Sequence, residues 1–191
     1  VTEAVGAAAA AAAGARPSQG LQPPPSELRA VCFDWGGTLM ADDGPADRPM
    51  VDWPKVTVLP GAVELLHGLH GRWRICLATN AAQSSRAQIE AALQRAGLRP
   101  WIDEIFCARE LGLRKEQPAF WSTVAERLGL RPEQIAMLGD SPEGDVRVPR
   151  RCGVAALWFN AGGRQPLPPG EEPLPMVTRL EDFGRWLTGP G

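Results

Sequence analysis

Leu28 to Leu39 reads LRAVCFDWGGTL, and its centre, Val31-Cys32-Phe33-Asp34-Trp35-Gly36-Gly37-Thr38-Leu39, decides how the rest of the chain is read. Leu28 to Phe33 is a short, mostly apolar run bounded by a turn signal, the pattern of a buried strand. The strand ends on a carboxylate, Asp34, and a glycine pair follows closely. Residues without a Cβ let backbone groups come close to a phosphate or a metal ion. A carboxylate beside them can attack phosphorus and form an aspartyl-phosphate. Standing alone, Asp-x-Gly-Gly is equally a good turn.

Downstream of this stretch, strand and helix patterns alternate. Gly61 to Leu69 has apolar residues at helical spacing behind Pro60, and Trp73 to Ala78 (WRICLA) reads as a buried strand. Ala82 to Ala96 reads as a helix closed by Gly97, Ile102 to Cys107 as a strand, and Pro118 to Leu128 as a helix closed by Gly129. Ile135 to Gly139 (IAMLG) is a fourth strand, Pro142 to Arg151 a short helix and Val154 to Phe159 a fifth strand. A Pro/Gly-rich loop then leads to a last helix over Arg179 to Leu187. Such alternation buries both faces of a parallel sheet under helices joined by right-handed crossovers. The fold predicted is α/β, a doubly wound three-layer sandwich around a central parallel sheet. Ligands in that architecture sit at the carboxyl ends of the strands, where Asp34, Thr79-Asn80 and Asp140 all fall.

Three more fragments carry chemistry. Ala78-Thr79-Asn80-Ala81 offers a hydroxyl and backbone N–H groups at an expected helix start, an anion site or a plain N-cap. Lys115, in Leu113-Arg114-Lys115-Glu116-Gln117-Pro118, can hold a phosphate and balance Asp34, or be a solvated surface lysine. Leu138-Gly139-Asp140-Ser141-Pro142-Glu143-Gly144-Asp145 groups hard oxygen ligands that suit magnesium, or caps a helix.

In this order the four fragments resemble the haloacid dehalogenase-like superfamily, over roughly Leu28 to Phe159. The resemblance implies a Rossmann-like hydrolase acting on a phosphomonoester through an aspartyl-phosphate on Asp34, with Mg²⁺ as cofactor. Asp34, the backbone carbonyl of Gly36 and Asp140 would bind the metal. Thr79 would bind phosphoryl oxygens, helped by backbone N–H groups near Trp35 and Asn80. Lys115 would neutralise charge, and Asp145 would orient Lys115 or a metal-bound water from outside. Positioning and charge neutralisation are what phosphoryl transfer chiefly needs.

The chain departs from the family at one position. Most phosphatases of this family carry a second Asp two residues after the nucleophile, as general acid and base, and Gly36 stands there. Loss of such a group is typically worth about 10²–10⁴ in rate. Three explanations compete. Asp42, Asp43, Asp47 or Asp52 substitutes; the substrate has a good leaving group; or the domain is a regulatory phosphate-binding module. A phosphonate-cleaving branch has a small residue at this position but depends on a cap lysine, and Lys55 is the only lysine between the first two motifs. The dehalogenating branch usually lacks the Gly139-Asp140 pair. Only 44 residues separate Asp34 from Thr79, so a cap is expected to be absent or minimal. An open site favours phosphorylated macromolecules over enclosed small molecules and leaves room for a homo-oligomer.

Composition sets the wider bounds. An apolar fraction of 44% and a charged fraction of 22% suit one globular domain, expected over residues 27–191. A formal charge of -2 carries no nucleic-acid or membrane signature. The absence of Tyr from this chain excludes a tyrosine nucleophile from it. Cys32, Cys76, Cys107 and Cys152 show no C-x-x-C spacing and read as reduced, buried thiols, which points to a cytoplasmic setting. Residues 1–26, with the run Ala7 to Ala13 and Pro23-Pro24-Pro25, read as a disordered tail. Glu3 stands where a secretory signal would be positive. His67 and His70 read as surface or half-buried histidines rather than a metal pair, and Arg147, Arg150 and Arg151 as a solvated helix end.

Overall fold

Alternate residues of each central strand face opposite layers, and both sets are buried. The computed structural model describes residues 21–189 apart from Ala46; the tail expected over 1–26 lies outside them up to residue 20. The strands are β1 (Ala30–Phe33), β2 (Arg74–Thr79), β3 (Glu104–Cys107), β4 (Ile135–Gly139), β5 (Ala155–Phe159) and β6 (Met176–Val177). All pair in parallel, in the order β3-β2-β1-β4-β5-β6. The helices are α1 (Ala62–Leu69), α2 (Arg86–Arg95), α3 (Ala108–Leu111), α4 (Pro118–Leu128), α5 (Val148–Arg151) and α6 (Leu180–Thr188).

On one face Val31, Phe33, Ile75, Leu77 and Leu138 pack under Leu66 of α1, Ile89 of α2 and Phe183 of α6. On the other, Cys32, Cys76, Ala78 and Met137 pack under Phe120, Trp121 and Val124 of α4. Each large apolar side chain buried this way contributes roughly 1.5–3 kcal/mol, so a two-faced sheet is the favoured use of these runs. The expected doubly wound sandwich is therefore the fold. Cys32, Cys76 and Cys107 are buried free thiols, and Cys152 is a partly exposed one.

Several local expectations are corrected. Helix α2 begins at Arg86 rather than Ala82, because Ser85 and Gln88 form a capping box: Ser85 Oγ accepts from the Gln88 N–H at 3.3 Å, and Gln88 Oε1 from the Ser85 N–H at 2.9 Å. Thr79 consequently ends a strand instead of opening a helix. The helix expected over Pro142 to Arg151 is a π-helix over Pro142–Arg147 followed by α5. A sixth strand, β6, lies in the Pro/Gly-rich loop and pairs with the edge at β5. At the N-terminal end, the Gln22 carbonyl accepts from Trp186 Nε1 at 2.7 Å on α6.

The link from β1 to α1 is a pinned strap. Met40 pairs antiparallel with Val58, and the Ala41 N–H donates to the Thr57 carbonyl at 2.8 Å. Trp53 is buried, and its Nε1 donates to the Pro45 carbonyl at 2.9 Å. Gly44 lies against the Trp53 ring, where a Cβ would collide. Arg95 of α2 donates to the carbonyls of Val51 and Trp53. No helix among the described residues is long and apolar enough to cross a membrane.

Candidate active site

Strand order brings the motifs together. The chain leaves β1 toward β2 and β3 on one side and returns to β4 on the other, so the carboxyl end of β1 is a topological switch point. Asp34 stands there, its N–H held by the Leu138 carbonyl of β4 at 2.9 Å, and it is 6% exposed. Thr79 ends the neighbour on one side and Asp140 follows the neighbour on the other.

After Asp34 the backbone doubles back. The Leu39 and Met40 N–H groups both donate to the Trp35 carbonyl, and the Gly37 N–H donates to the Met40 carbonyl at 2.7 Å. The Gly36 carbonyl takes no part in these bonds. Gly37 has φ +77, a conformation L side chains rarely adopt, and a Cβ there would run into the Asp140 carboxylate. A Cβ at Gly139 would likewise strike Asp145. Both glycines thus admit the acidic groups into a narrow space. The Trp35 indole is fully buried and donates to Met50 Sδ, so only backbone is left of Trp35 to meet a ligand.

Lys115 is the centre of charge. Its Nζ lies 2.5 Å from Asp34 Oδ1 and 2.6 Å from Asp145 Oδ1, and the residue is 3% exposed. The Lys115 N–H donates to Asn80 Oδ1 at 2.9 Å, and Trp121 Nε1 donates to the Lys115 carbonyl at 2.9 Å. Burial alone would lower the lysine pKa, but Asp145 and Asp34 outweigh it and hold the ammonium charged. The second Asp145 oxygen accepts from the Ser141 N–H at 3.0 Å, while Oδ1, buried, meets the Lys115 charge without a hydrogen bond of its own. Its pKa is raised by complete burial and by Asp34, against the pull of Lys115. Asp140 is pushed up to about 7, by burial first and then by Asp34 and Asp145.

Asp34, Asp140 and Asp145 each offer an oxygen within 4.8 Å of the others, and no further such group of His, Cys, Asp and Glu occurs among the described residues. Three carboxylates facing one ammonium leave a surplus of negative charge that a hard cation would balance. The donor set therefore fits magnesium, with Asp145 the member already drawn to Lys115 and the Ser141 N–H.

The expected residues converge, with two changes of emphasis. The Asn80 carboxamide is bonded to Lys115 and, through Nδ2, to Glu116 at 2.9 and 3.1 Å, so its side chain builds the lysine turn. Thr79 is 3% exposed, and its Oγ1 accepts from the Ala81 N–H at 3.2 Å. Thr38 and Trp121 escape the sequence reading, while Ser141 caps the π-helix as that reading allows, its Oγ accepting from the Gly144 N–H at 3.3 Å. Thr38 Oγ1 lies 3.5 Å from Asp34 Oδ2, and its place in the first motif was the available signal. Of the peripheral candidates, His67 and His70 pack edge-on against Trp101. Arg147 pairs with Glu171 at 2.5 Å, and Arg151 with Glu143 at 3.4 Å.

Comparison with known proteins bears on this geometry. The haloacid dehalogenase-like hydrolase family matches residues 47–153, beginning beyond Asp34. Pyrimidine 5'-nucleotidase YjjG of Escherichia coli is 31% identical over 133 residues, covering 69% of this chain and 57% of that protein. Phosphoserine phosphatase of Thermus thermophilus is 36% identical over 88 residues, 46% of this chain and 35% of that protein. The chain thus spans only part of the length of these curated relatives. The structure of an uncharacterized protein from Listeria monocytogenes serotype 4b superposes with a TM-score of 0.74 at 22% identity, covering 84% of this chain and 97% of that one. With more than half of its length matched by the family, this chain belongs to the haloacid dehalogenase-like hydrolases.

Proposed function

We propose that the protein is a magnesium-dependent phosphomonoester hydrolase working through an aspartyl-phosphate on Asp34. The observation that carries this reading is Lys115 Nζ bridging Asp34 and Asp145, beside Asp140, at the sheet's switch point. Asp34, the Gly36 carbonyl and Asp140 would hold Mg²⁺, which supplies charge neutralisation for the transferring phosphoryl group. Thr79 and the backbone N–H groups near Trp35 and Asn80 orient the phosphoryl oxygens. Lys115 balances the Asp34 charge before attack, and Asp145 fixes Lys115. We take residues 27–191 as the hydrolase domain, in a reducing, cytoplasmic setting that fits its free thiols.

Among its described residues the strap between Met40 and Val58 has a single 3-10 turn, Met50–Asp52, which supports a site with no or minimal cap. An open site admits phosphorylated macromolecules, while the names of the nucleotidase and phosphoserine phosphatase relatives favour a phosphorylated small molecule. A second reading, a phosphate-binding regulatory module, is favoured by one observation, the missing carboxylate at Gly36.

Hydrolysis of an activated aryl phosphate and a panel of ordinary monoesters, with magnesium and with chelator, decides between them. Turnover that chelator abolishes and magnesium restores is expected. Binding of magnesium and phosphate with no turnover on any ester would replace the enzyme by the module.

Magnesium binding should also depend on pH. The Asp140 pKa is raised, so its bound proton contributes stability below the ordinary carboxylate range and that contribution is lost as pH rises through about 7. The metal competes with that proton. Affinity should fall about tenfold per pH unit below about 7 and level off above it. Calorimetric titration from acid to mildly alkaline pH reads this directly, and a flat profile would remove Asp140 from the ligand set.

A further inference from the structure

Gly36 leaves a space that another carboxylate approaches. A Cβ built on Gly36 would lie 3.3 Å from Asp42 Cγ and 3.5 Å from Asp42 Oδ2. The Asp42 carboxyl group therefore stands where a side chain from position 36 would project. It is held there by the strap. The Ala41 N–H is bonded to the Thr57 carbonyl just before it, and Gly44 is pressed on the Trp53 ring just after it.

The acid–base groups already in the site are committed. The Lys115 ammonium is shared by Asp34 and Asp145, and Asp145 also takes the Ser141 N–H. Asp140 belongs to the cluster suited to a cation, and Asp42 stands outside that cluster. Among the described residues Asp42 makes no ion pair, whereas Asp47 is engaged with Arg48. Asp42, Asp43 and Asp52 are all exposed, and of them Asp42 supplies the three atoms nearest to a Cβ on Gly36. An ordinary ester needs a proton delivered to its leaving oxygen, and the Asp42 carboxyl group borders the nucleophile's loop at Gly36.

We propose that Asp42 is the general acid and base of the reaction, acting across the gap at Gly36; this rests on the phosphatase reading above. In the first step an Asp34 oxygen bonds to phosphorus. The bond from phosphorus to the leaving oxygen breaks, and the Asp42 carboxyl proton passes to that oxygen. In the second, water bonds to phosphorus as its proton goes to the Asp42 carboxylate. The Asp34–phosphorus bond breaks, releasing phosphate and restoring both carboxyl groups. Gly36 suits this arrangement, because a side chain there would press on the Asp42 carboxyl group.

The test compares wild type, Asp42→Asn and Asp43→Asn on an alkyl phosphate and on an activated aryl phosphate, by kcat/KM, which reports the phosphorylation step. Asp42→Asn should lower kcat/KM for the alkyl ester by about 10²–10⁴-fold and for the aryl ester by less than about tenfold, since a good leaving group needs little acid help. With the aryl ester it should also show a burst of leaving group followed by slow turnover, because the second step lacks its base. Asp43→Asn should lower neither value. Equal losses on both esters, no loss on the alkyl ester, or the same selectivity in Asp43→Asn would overturn the assignment while leaving the phosphatase reading intact. A wild type inert on both esters would instead remove the phosphatase reading, and this assignment with it.

Discussion

Asp34→Asn lowers phosphomonoester turnover on the order of 10⁴-fold or more, the scale at which loss of a covalent nucleophile registers. The carboxamide removes the attacking oxygen's charge, and it removes the partner of Lys115 Nζ at 2.5 Å. It also removes one charge from the metal-binding cluster. Folding should survive. Asn is close to Asp in shape, Lys115 keeps its ion pair with Asp145, and the charge that helps raise Asp140 is gone. Steady-state assays on an aryl phosphate, paired with acid-quench detection of phosphorylated protein and a thermal melt, separate chemistry from folding. A variant that hydrolyses at the wild-type rate would mean that water attacks phosphorus directly.

Lys115→Met acts on both stability and activity. Lys115 is buried between two carboxylates, and its turn is fastened by Asn80 and Trp121. Methionine fills much of the volume but leaves Asp34 and Asp145 facing each other without a counter-charge. Removing one partner of a buried ion pair costs about 3–5 kcal/mol, and this loss is expected in metal-free protein above neutral pH. The loss should shrink in acid. Asp145 already binds its proton more tightly than an ordinary carboxylate, because of burial and Asp34, and without the ammonium it binds it more tightly still. Protonation then substitutes for the missing cation. Urea unfolding at mildly alkaline pH and near pH 5 measures the difference. A loss under about 1 kcal/mol at the higher pH would mean that the two carboxylates reach water in the folded protein. Turnover should collapse in the same variant.

The architecture and the strand-end positions of the candidate site residues are legible in the sequence because both rest on local signals. Apolar runs such as Val31–Phe33, Ile75–Ala78 and Ile135–Leu138 announce strands by length and composition. A parallel sheet gathers whatever follows those strands at one edge, and the order β2-β1-β4 then sets Thr79 and Asp140 on either side of Asp34. Lys115 and Asp145 are readable by their place in the order of motifs. Local misreadings have local causes. The alanines ahead of α2 suggest an early helix, but the Ser85–Gln88 capping box delays it to Arg86. The π-helix over Pro142–Arg147 accompanies an Asp145 side chain that takes the Ser141 N–H, which periodicity does not encode.

Contacts between distant segments lie beyond such local signals. From the residues alone it follows that the chain is a doubly wound α/β sandwich, that its acidic and basic groups collect at the carboxyl edge, and that position 36 lacks a carboxylate. The same residues leave Asp42, Asp43, Asp47 and Asp52 equivalent, and they leave Asn80 a candidate phosphate ligand rather than the brace of Lys115. The choice among the four acids comes from the folded chain: the Met40–Val58 pairing, the Trp53 ring against Gly44 and the grip of Arg95 on the strap. Several of those interactions join residues far apart in the chain, and a loop's course is set by such packing rather than by any repeat in its own residues.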